Sequence, residues 1–394
     1  MRGAGYGGGV DDADAHGAQE PQAQEQQAQE QQAQDPEVRE QEARESEHQE
    51  QALGHGAATV GDLGEDALLA QVFPLLPYGD HTTLGPGDDA AVVSAPDGRV
   101  VVSTDVLVEG RHFRRDWSSG VDLGRRSAVQ NLADVAAMGA RPTALVVGLV
   151  MPRDVPVAWV LDLARGLAEA CGPHGVGVVG GDLSGGSEVV VGVTVLGDLQ
   201  GRAPVRRSGA TAGDVVAHAG VRGRSAAGLA LLGAGFGADE DTRALVAGYL
   251  RPEAPLAAGP SAAEGGATAM LDVSDGLLRD AGRLARASGV VLDLDDPATA
   301  FGEDLALLAG AASRLGVDPV EWVLTGGEDH GLLATFPAGA DLPPPFRAIG
   351  TVLAATSGTT PGDVLVAGRV PALRTTGWDH FAGDPVAEGT QPRR

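Results

Sequence analysis

The sequence predicts an α/β protein with two domains. From Gly61 onward, short runs rich in valine alternate with amphipathic stretches of helical length, and this alternation is typical of sheets with flanking helices. A polar segment with glycine and proline at 197–214 interrupts the pattern, and we interpret it as a linker. The chain has 394 residues, of which 43% are hydrophobic, which is enough for two cores of ordinary size.

The spacing of apolar residues predicts the individual elements, because continuous apolar runs of strand length favour strands and a three-to-four spacing favours helices. In the first half we predict strands at Ala90–Val93, Val100–Thr104, Ala144–Val150, Val176–Val179 and Val189–Leu196, and helices at Leu123–Met138 and Ala158–Ala170. In the second half we predict strands at Val215–Ala219, Thr268–Leu271, Val290–Leu294, Trp322–Leu324, Gly331–Phe336 and Arg347–Val352, and helices at Ser225–Leu232 and Gly276–Ala287.

The N-terminal region has a different composition from the rest of the chain. Residues 1–56 carry thirteen Asp or Glu against three Arg and include the near-repeat AQEQQAQEQQAQ. Such a segment has too little apolar surface to offset the entropy of ordering, so we predict a disordered acidic tail, with a transient helix over 20–50 as the alternative. We therefore divide the chain into the tail, an N-terminal α/β domain at 57–200, a C-terminal α/β domain at 201–383 and a flexible end at 384–394.

Composition and charge exclude several classes of protein. A net charge of −26 argues against nucleic-acid binding, because phosphate backbones are held by a surplus of basic residues. The longest apolar runs have strand length and no basic-then-apolar leader begins the chain, so we expect a cytoplasmic protein without a membrane segment. The single cysteine, Cys171, excludes a disulfide framework and a cysteine-ligated zinc site.

Six short blocks place an acidic residue beside glycine, serine, threonine or an apolar residue. They are GDDA at 87–90, STD at 103–105, NLAD at 131–134, GGD at 180–182, DVSDG at 272–276 and GGED at 326–329. Two carboxylates roughly 4 Å apart repel by about 1 kcal/mol in water and by about 4 kcal/mol at an effective dielectric of 20, so a shared cleft needs cations between them. The chain contains no lysine, and hydroxyl and carboxylate oxygens are the hard ligands that suit Mg²⁺.

We expect most of these blocks at the ends of elements, where ligands collect in open α/β sheets. Asp105 would close a strand, Asp182 would follow one, and Glu328 would follow a short strand. Each block also has an ordinary interpretation. The GGDLSGG segment reads as a turn, Asp134 as a solvated helix residue, and Ser274 or Asp275 as the N-cap of the next helix.

Taken together, the motifs resemble the thiamine-monophosphate kinase family. The matching segments, in the family's order, are GDDAAVV, STDVLVEGRHF, AVQNLADVAAMGARP, GGDLSGG, RSGATAGD, YLRPEAP, LDVSDGLLRDAGRLARASG, LTGGED and GWDHF. Single blocks such as GDDA are shared with the wider superfamily of aminoimidazole ribonucleotide synthetase-like enzymes. The resemblance implies a two-domain fold of that type, with mixed sheets and flanking helices, and a homodimer formed through the N-terminal domains.

The resemblance also implies a set of site residues and ligands: ATP as co-substrate, several Mg²⁺ ions, and thiamine monophosphate as acceptor. The implied metal ligands are Asp88, Ser103, Thr104, Asp105, Asp134, Asp182, Asp272 and Asp275. The implied ATP contacts are Gly181, Asp182, Arg207, Ser274 and His174. The implied contacts to thiamine phosphate are His112, Glu328 and Trp378. The family commonly reads GGEDYEL, and here His330 and Gly331 replace the aromatic residue and the second acid.

The chemistry of the implied reaction needs no acid–base residue. The attacking phosphate oxygen is already ionised near neutral pH, so transfer can proceed by positioning and by neutralisation of charge. No Ser-His-Asp or Cys-His arrangement predicts a covalent nucleophile. Two alternatives remain open at this point: another ATP-using synthetase of the superfamily, or a non-catalytic module that binds Mg-nucleotide.

Overall fold

Two mixed β-sheets form the framework of the protein in a computed structural model that describes residues 58–87, 90–237 and 239–378. The helices of the described residues are α1 (Val60–Leu63), α2 (Glu65–Val72), α3 (Gly120–Ala137), α4 (Val157–Cys171), α5 (Arg224–Gly233), α6 (Arg243–Leu250), α7 (Ala258–Glu264), α8 (Leu277–Ser288), α9 (Pro297–Ala300), α10 (Gly302–Leu315) and α11 (Pro319–Thr325). The strands are β1 (Thr82–Leu84), β2 (Val92–Val93), β3 (Val101–Val108), β4 (Arg141–Met151), β5 (Gly177–Gly185), β6 (Val190–Asp198), β7 (Val215–Ala219), β8 (Ala269–Val273), β9 (Val291–Leu294), β10 (Gly331–Phe336), β11 (Arg347–Leu353) and β12 (Val364–Val366). The predicted α/β class is confirmed.

The first sheet has four strands in the order β3-β6-β4-β5. Only β4 and β5 run parallel, and the other neighbours are antiparallel. One face packs against α3 and α4, where Leu107, Leu145 and Val193 are almost fully buried. The opposite face leaves valine side chains exposed, 63% for Val102 and 49% for Val106.

The second sheet has six strands in the order β12-β9-β11-β7-β10-β8. All neighbours are antiparallel except β12 and β9. Helices α5, α8 and α10 cover one face through buried residues such as Leu231, Leu284 and Leu308. The two sheets fall on either side of the predicted boundary at 200/201, and the division into two domains stays a prediction. The predicted tail and C-terminal end lie outside the described residues.

The structure corrects several predicted elements. Trp322–Leu324 lies inside helix α11 and is not a strand, so Glu328 follows a helix. Asp105 lies within β3, which continues to Val108, and Asp182 lies within β5. The helix after the DVSDG block begins at Leu277.

A close approach between α3 and α4 depends on glycine. A Cβ atom on Gly124 would lie 2.1 Å from the carbonyl oxygen of Leu163 and 2.8 Å from the amide nitrogen of Leu167. We expect Gly124→Ala to lower the free energy of unfolding by about 1–3 kcal/mol, because the two helices must separate. Gly310→Ala is the matched control, since a Cβ on this α10 residue meets no atom within 4 Å. Urea denaturation that finds Gly124→Ala as stable as this control would contradict the prediction.

His218, at the centre of the second sheet, occupies space that Gly331 leaves. Its ring is fully buried, neither ring nitrogen has a hydrogen-bond partner among the described residues, and a Cβ on Gly331 would lie 2.6 Å from its Nε2. Burial, reinforced by the nearby Arg222 and Arg347, lowers the pKa of His218 well below its ordinary value. As the pH falls below about 6.5, the histidine of the unfolded chain takes up a proton that the buried ring of the folded protein does not. This uptake favours the unfolded chain, so the free energy of unfolding decreases as the pH falls.

We expect His218→Leu to flatten the acid side of the stability profile. Between pH 7.5 and pH 5.5 the free energy of unfolding of the wild type should fall more steeply than that of His218→Leu. The difference in slope for one proton is up to about 1.4 kcal/mol per pH unit. Urea unfolding at the two pH values measures the difference. Equal slopes for the two proteins would mean that His218 is not the group responsible.

Candidate active site

A polar cleft of about 290 Å³ gathers residues from both sheets and from α3. Its lining residues are Asp105, Val106, Leu107, His112, Gln130, Asp134, Arg207, Asp272, Ser274, Asp275, Glu328 and His330. Eight of these were predicted as site residues from the motifs. The structure therefore brings together side chains from four of the six acidic blocks, namely STD, NLAD, DVSDG and GGED. The linker residue Arg207 and His112, beyond the STD block, line the same cleft.

Helix α3 supplies one wall of the cleft. Arg126, Gln130 and Asp134 follow at intervals of four residues, so they lie on one face of the helix. The helix is fixed at its start by a capping box, in which the backbone N–H of Asp122 donates to Ser119 Oγ at 3.2 Å and the Asp122 side chain accepts from the backbone N–H of Ser119. Because the helix is long and capped, it holds Arg126, Gln130 and Asp134 at fixed positions one turn apart.

Strand β3 supplies the opposite wall through alternate residues. Ser103 Oγ donates to Asp134 Oδ2 at 2.6 Å, and Asp105 lines the cleft two residues further along. Thr104 lies between them and points to the other face of the sheet, where its Oγ1 donates to the carbonyl oxygen of Val193 at 2.9 Å. The three residues of the STD block are therefore divided between two faces.

The DVSDG segment enters the cleft from the end of β8. Asp272 belongs to the strand and is buried, while Asp275 lies in the turn before α8. The interpretation of Ser274 or Asp275 as the N-cap of this helix is wrong, because Gly276 occupies the N-cap position. Asp280, one turn inside α8, accepts the backbone N–H groups of Asp275 and Gly276 at 2.9 and 3.1 Å. Asp275 Oδ2 is in turn 2.6 Å from Arg283 Nη2.

The GGED segment is held by two buried groups. Asp329 accepts the backbone N–H groups of Gly223 and Ser225 at 2.6 and 2.8 Å, at the start of α5. Arg222 is fully buried and donates to the carbonyl oxygens of Val323 and Gly326 at 3.2 and 2.5 Å. These contacts explain why the loop keeps a fixed path into the cleft.

The cleft carries an excess of negative charge. Burial, followed by repulsion from Asp272 and Asp105, raises the pKa of Asp134 to about 7. Burial also raises the pKa of the neighbouring Asp280 to about 6, although its backbone hydrogen bonds act in the opposite direction. A bound cation would remove this repulsion, and the carboxylate and hydroxyl oxygens are the donor set that Mg²⁺ prefers. The residues therefore fit Mg²⁺.

The described residues do not contain three His, Cys, Asp or Glu side chains close enough to form a complete metal site on their own. Asp275, one of the predicted ligands, is paired with Arg283. Asp88, also a predicted ligand, lies outside the described residues.

Two histidines line the cleft in different roles. The Nδ1 atom of His112 accepts the backbone N–H of Val108 at 3.0 Å, so this nitrogen carries no proton and Nε2 carries it as a donor. His330 Nδ1 is 3.5 Å from Asp272 Oδ2. Burial alone would lower the pKa of His330, but the carboxylates of Asp272 and Glu328 outweigh it and raise that pKa.

Several predicted residues lie away from the cleft. Gly181 and Asp182 line a separate, mainly apolar cavity of about 500 Å³, which Gly87 also lines. Asp182 shares a cross-strand row with Gly148, Gly192 and Val106, so it lies on the exposed face of the four-stranded sheet.

His174 and Trp378 are also outside the cleft lining. His174 ends a short 3₁₀ turn before β5, and its carbonyl oxygen accepts from Arg141 at 3.2 Å. Trp378 is partly exposed, and its backbone N–H donates to the carbonyl oxygen of Asp275 at 2.8 Å.

The motif comparison missed Arg126, Gln130 and Tyr249. The first two share a spacing of four residues with Asp134, so polar residues repeated on an otherwise buried helix face were a usable signal. Tyr249 is the first residue of the matching segment YLRPEAP, but nothing in its local sequence marks it as part of a site.

Comparison with known proteins places this geometry in a family. The family model described as "AIR synthase related protein, N-terminal domain" matches residues 87–199. The thiamine-monophosphate kinase of Mycobacterium tuberculosis (strain H37Rv) is 47% identical over 342 residues, which cover 87% of this chain and 98% of the relative.

Solved structures agree with the sequence relatives. The thiamine monophosphate kinase of Aquifex aeolicus is 31% identical with a TM-score of 0.63, over 78% of this chain and 98% of that chain. A structure described as AaThiL complexed with AMPPCP and TMP is also 31% identical with a TM-score of 0.63, over 81% of this chain and 97% of that chain. Within the described part of the chain, none of the helices combines the length and the apolar character needed to cross a bilayer.

Proposed function

The chain belongs to the thiamine-monophosphate kinase family and phosphorylates thiamine monophosphate with ATP, and we propose that it does so by direct in-line transfer assisted by several Mg²⁺ ions. The observation that carries this proposal is the acidic cleft, in which burial, followed by repulsion from Asp272 and Asp105, raises the pKa of Asp134 to about 7. Such a site favours binding of divalent cations together with the phosphates that they bridge.

The metal proposal assigns the cleft acids as ligands. Asp105, Asp134 and Asp272 would hold Mg²⁺, with the other acids and hydroxyls of the motif set completing the sites. When bound, the ions would neutralise the charge on the transferring phosphoryl group. Arg207 lines the same cleft and offers a forked set of donors to phosphate oxygens.

The substrate proposal gives the remaining cleft residues different tasks. The Nε2–H donor of His112 suits a phosphate oxygen, and the Glu328 carboxylate suits the thiazolium cation of thiamine by charge. Trp378 would add a π-face to the same cation. Because the phosphate acceptor is already ionised, no side chain has to remove a proton before transfer.

The decisive assay compares two acceptors. We expect the full chain, incubated with Mg-ATP and thiamine monophosphate, to form thiamine diphosphate, and we expect no product from unphosphorylated thiamine. Product from thiamine alone would overturn the substrate. Nucleotide binding without any turnover would favour a non-catalytic module.

Direct transfer makes a separate expectation about intermediates. Protein incubated with ATP labelled in the γ-phosphate should carry no covalent label after denaturation, because no nucleophilic side chain is required. A labelled phosphoprotein formed and consumed at the rate of turnover would sink the in-line mechanism.

We also propose a homodimer formed through the exposed face of the four-stranded sheet. This face presents Val102, Val106 and Val146 to solvent at 63%, 49% and 38%, whereas the opposite face is buried under helices. A contiguous apolar sheet face of this kind favours association. It also carries Thr104 and Asp182, so pairing would place two predicted ligands at the interface.

We expect Val106→Arg to shift the protein from dimer to monomer, because a charge would be buried in an apolar interface. Light scattering coupled to size exclusion measures the change. Val370→Arg is the matched control, since Val370 is 78% exposed and lies outside the four-stranded sheet. A wild-type mass at micromolar concentration that equals one chain would refute the dimer.

A further inference from the structure

Glu328 reaches the cleft from an unusual backbone conformation. Its φ angle is 66°, in the left-handed region that costs energy for a residue with a side chain. Its backbone N–H donates to the carbonyl oxygen of Ser274 at 2.8 Å, which ties the residue to the DVSDG turn. The side chain is 35% exposed and lines the cleft. The backbone is therefore fixed, and the direction of the carboxylate depends on what contacts it.

The main contact of this carboxylate is Arg126 on α3. Arg126 Nε and NH2 both donate to Glu328 Oε2, at 3.1 and 2.5 Å. Both donors converge on Oε2, so the guanidinium anchors one oxygen of the carboxylate, and the fixed backbone of Glu328 limits where the other oxygen can point. The Arg126 side chain is only 4% exposed, which leaves the guanidinium little room to move.

The Arg126 side chain is itself held by Tyr249. The guanidinium carbon lies 4.5 Å from the centre of the Tyr249 ring, within the range of a cation–π contact. The Tyr249 hydroxyl donates to the carbonyl oxygen of His112 at 3.2 Å. Arg126 and Tyr249 thus connect two residues that were proposed to contact the substrate, with Glu328 on the arginine and His112 on the tyrosine.

Charge supports the same arrangement. Burial would raise the pKa of Glu328, but Arg126, with His330, outweighs burial and holds that pKa below its usual range. A buried ion pair alone is weak evidence for a stabilising role, because desolvation offsets much of the attraction. The pair of Arg126 and Glu328 joins α3 to the GGED segment beside the cleft, and this placement is better explained by a role in orienting the Glu328 carboxylate.

We infer that Arg126 is a positioning residue that orients the Glu328 carboxylate toward the cationic part of thiamine phosphate. The inference rests on the proposed function and adds a residue that the motif comparison did not assign. Arg126 acts through Glu328 and is not a catalytic residue. Its loss should weaken use of thiamine phosphate much more than use of ATP.

The test compares Arg126→Gln with Arg125→Gln in the full chain. Arg125 is the neighbouring residue on α3, and its side chain pairs with Glu169 at 3.1 Å on the outer surface. We expect Arg126→Gln to raise KM and the calorimetric Kd for thiamine phosphate by about tenfold or more, with KM for Mg-ATP changed less than about twofold. Arg125→Gln should change neither constant by more than about twofold.

Two further variants keep the test decisive. Arg126→Lys preserves the charge but not the fork, so it should also raise KM for thiamine phosphate, and it replaces Arg126→Gln if that protein does not fold. In a Glu328→Gln background, Arg126→Gln should add less than about a twofold change, because its partner is already altered.

The outcomes separate this inference from the proposed function. If the wild-type chain forms thiamine diphosphate and folded Arg126→Lys has an unchanged KM for thiamine phosphate, the proposed function stands and the positioning role of Arg126 is overturned. A parallel rise in both KM values, or multiplicative effects of Arg126→Gln and Glu328→Gln, would also overturn it. Absence of thiamine diphosphate with the wild-type chain would overturn the proposed function and, with it, this inference.

Discussion

Asp134→Asn should abolish most of the kinase activity while making the metal-free protein more stable. The activity loss follows because a metal ligand is removed from a site in which bound ions contribute several kcal/mol to transition-state stabilisation. Since each 1.36 kcal/mol is a factor of ten, we expect kcat to fall by about 100-fold or more. The amide keeps an oxygen that can accept from Ser103 Oγ, now 2.6 Å from Asp134 Oδ2.

The stability gain follows from the direction of the pKa shift. The pKa of Asp134 is raised in the folded state to about 7, so the unfolded chain loses this proton first, and the wild type loses stability as the pH rises from about 3.9, the ordinary pKa of an aspartate, to about 7. At pH 8 and without Mg²⁺, the variant should be more stable by on the order of 2–4 kcal/mol. The difference should shrink toward pH 4, where the carboxyl begins to be protonated in the unfolded chain as well as in the folded state.

Urea unfolding in EDTA at pH 8 and pH 5, together with turnover at saturating Mg²⁺, checks both halves of this prediction. Adding Mg²⁺ provides an internal control, because it should stabilise the wild type more than the variant. Near-normal turnover would remove Asp134 from the metal site. A variant less stable than the wild type at pH 8 would contradict the repulsion argument.

Asp329→Ala should cause the largest loss of stability among single changes near the cleft. The substitution leaves the backbone N–H groups of Gly223 and Ser225 without their acceptor and removes the acid nearest to the buried Arg222, whose NH1 lies 3.7 Å from Asp329 Oδ2. Breaking a buried pair of this kind costs about 3–5 kcal/mol, a large part of the stability of an ordinary domain.

Asp318→Ala is the matched control for this prediction. Asp318 also caps a helix, by accepting the backbone N–H of Val320 at 2.9 Å, but it is exposed. Its loss should cost only about 1 kcal/mol. Chemical denaturation measures both values, and equal effects would show that the burial of Asp329 is not what makes it important.

The sequence predicted elements well where a long apolar pattern repeats. The strands Val215–Ala219 and Gly331–Phe336 have the predicted bounds, and the long helix of the NLAD block begins three residues earlier than predicted. Trp322–Leu324 failed because three apolar residues do not define a period. The Asp318-Pro319 pair, a capping residue followed by proline at the first helical position, was the signal for helix α11.

The order of the acidic blocks predicted much of the cleft, but two features needed the folded chain. Thr104 and Asp182 face the outer side of their sheet, which depends on strand register and cannot be read from the motifs. The spacing of Arg126, Gln130 and Asp134 indicates a shared helix face, but it does not indicate that Arg126 pairs with Glu328, which lies far along the chain. The tail, the cytoplasmic location and the number of metals stay predictions.

The contact between Gly331 and His218 constrains how this sequence can change over time. A side chain at position 331 would collide with the imidazole, so the acid common in the family cannot be restored there by a single step. The same Cβ would lie 2.8 Å from the backbone carbonyl oxygen of Ala219, so a smaller residue at position 218 would not be enough and strand β7 would also have to move. The glycine after the GGED block is therefore maintained by the close approach of a neighbouring backbone as well as by the imidazole, and a return to the acid would require a change in the sheet itself.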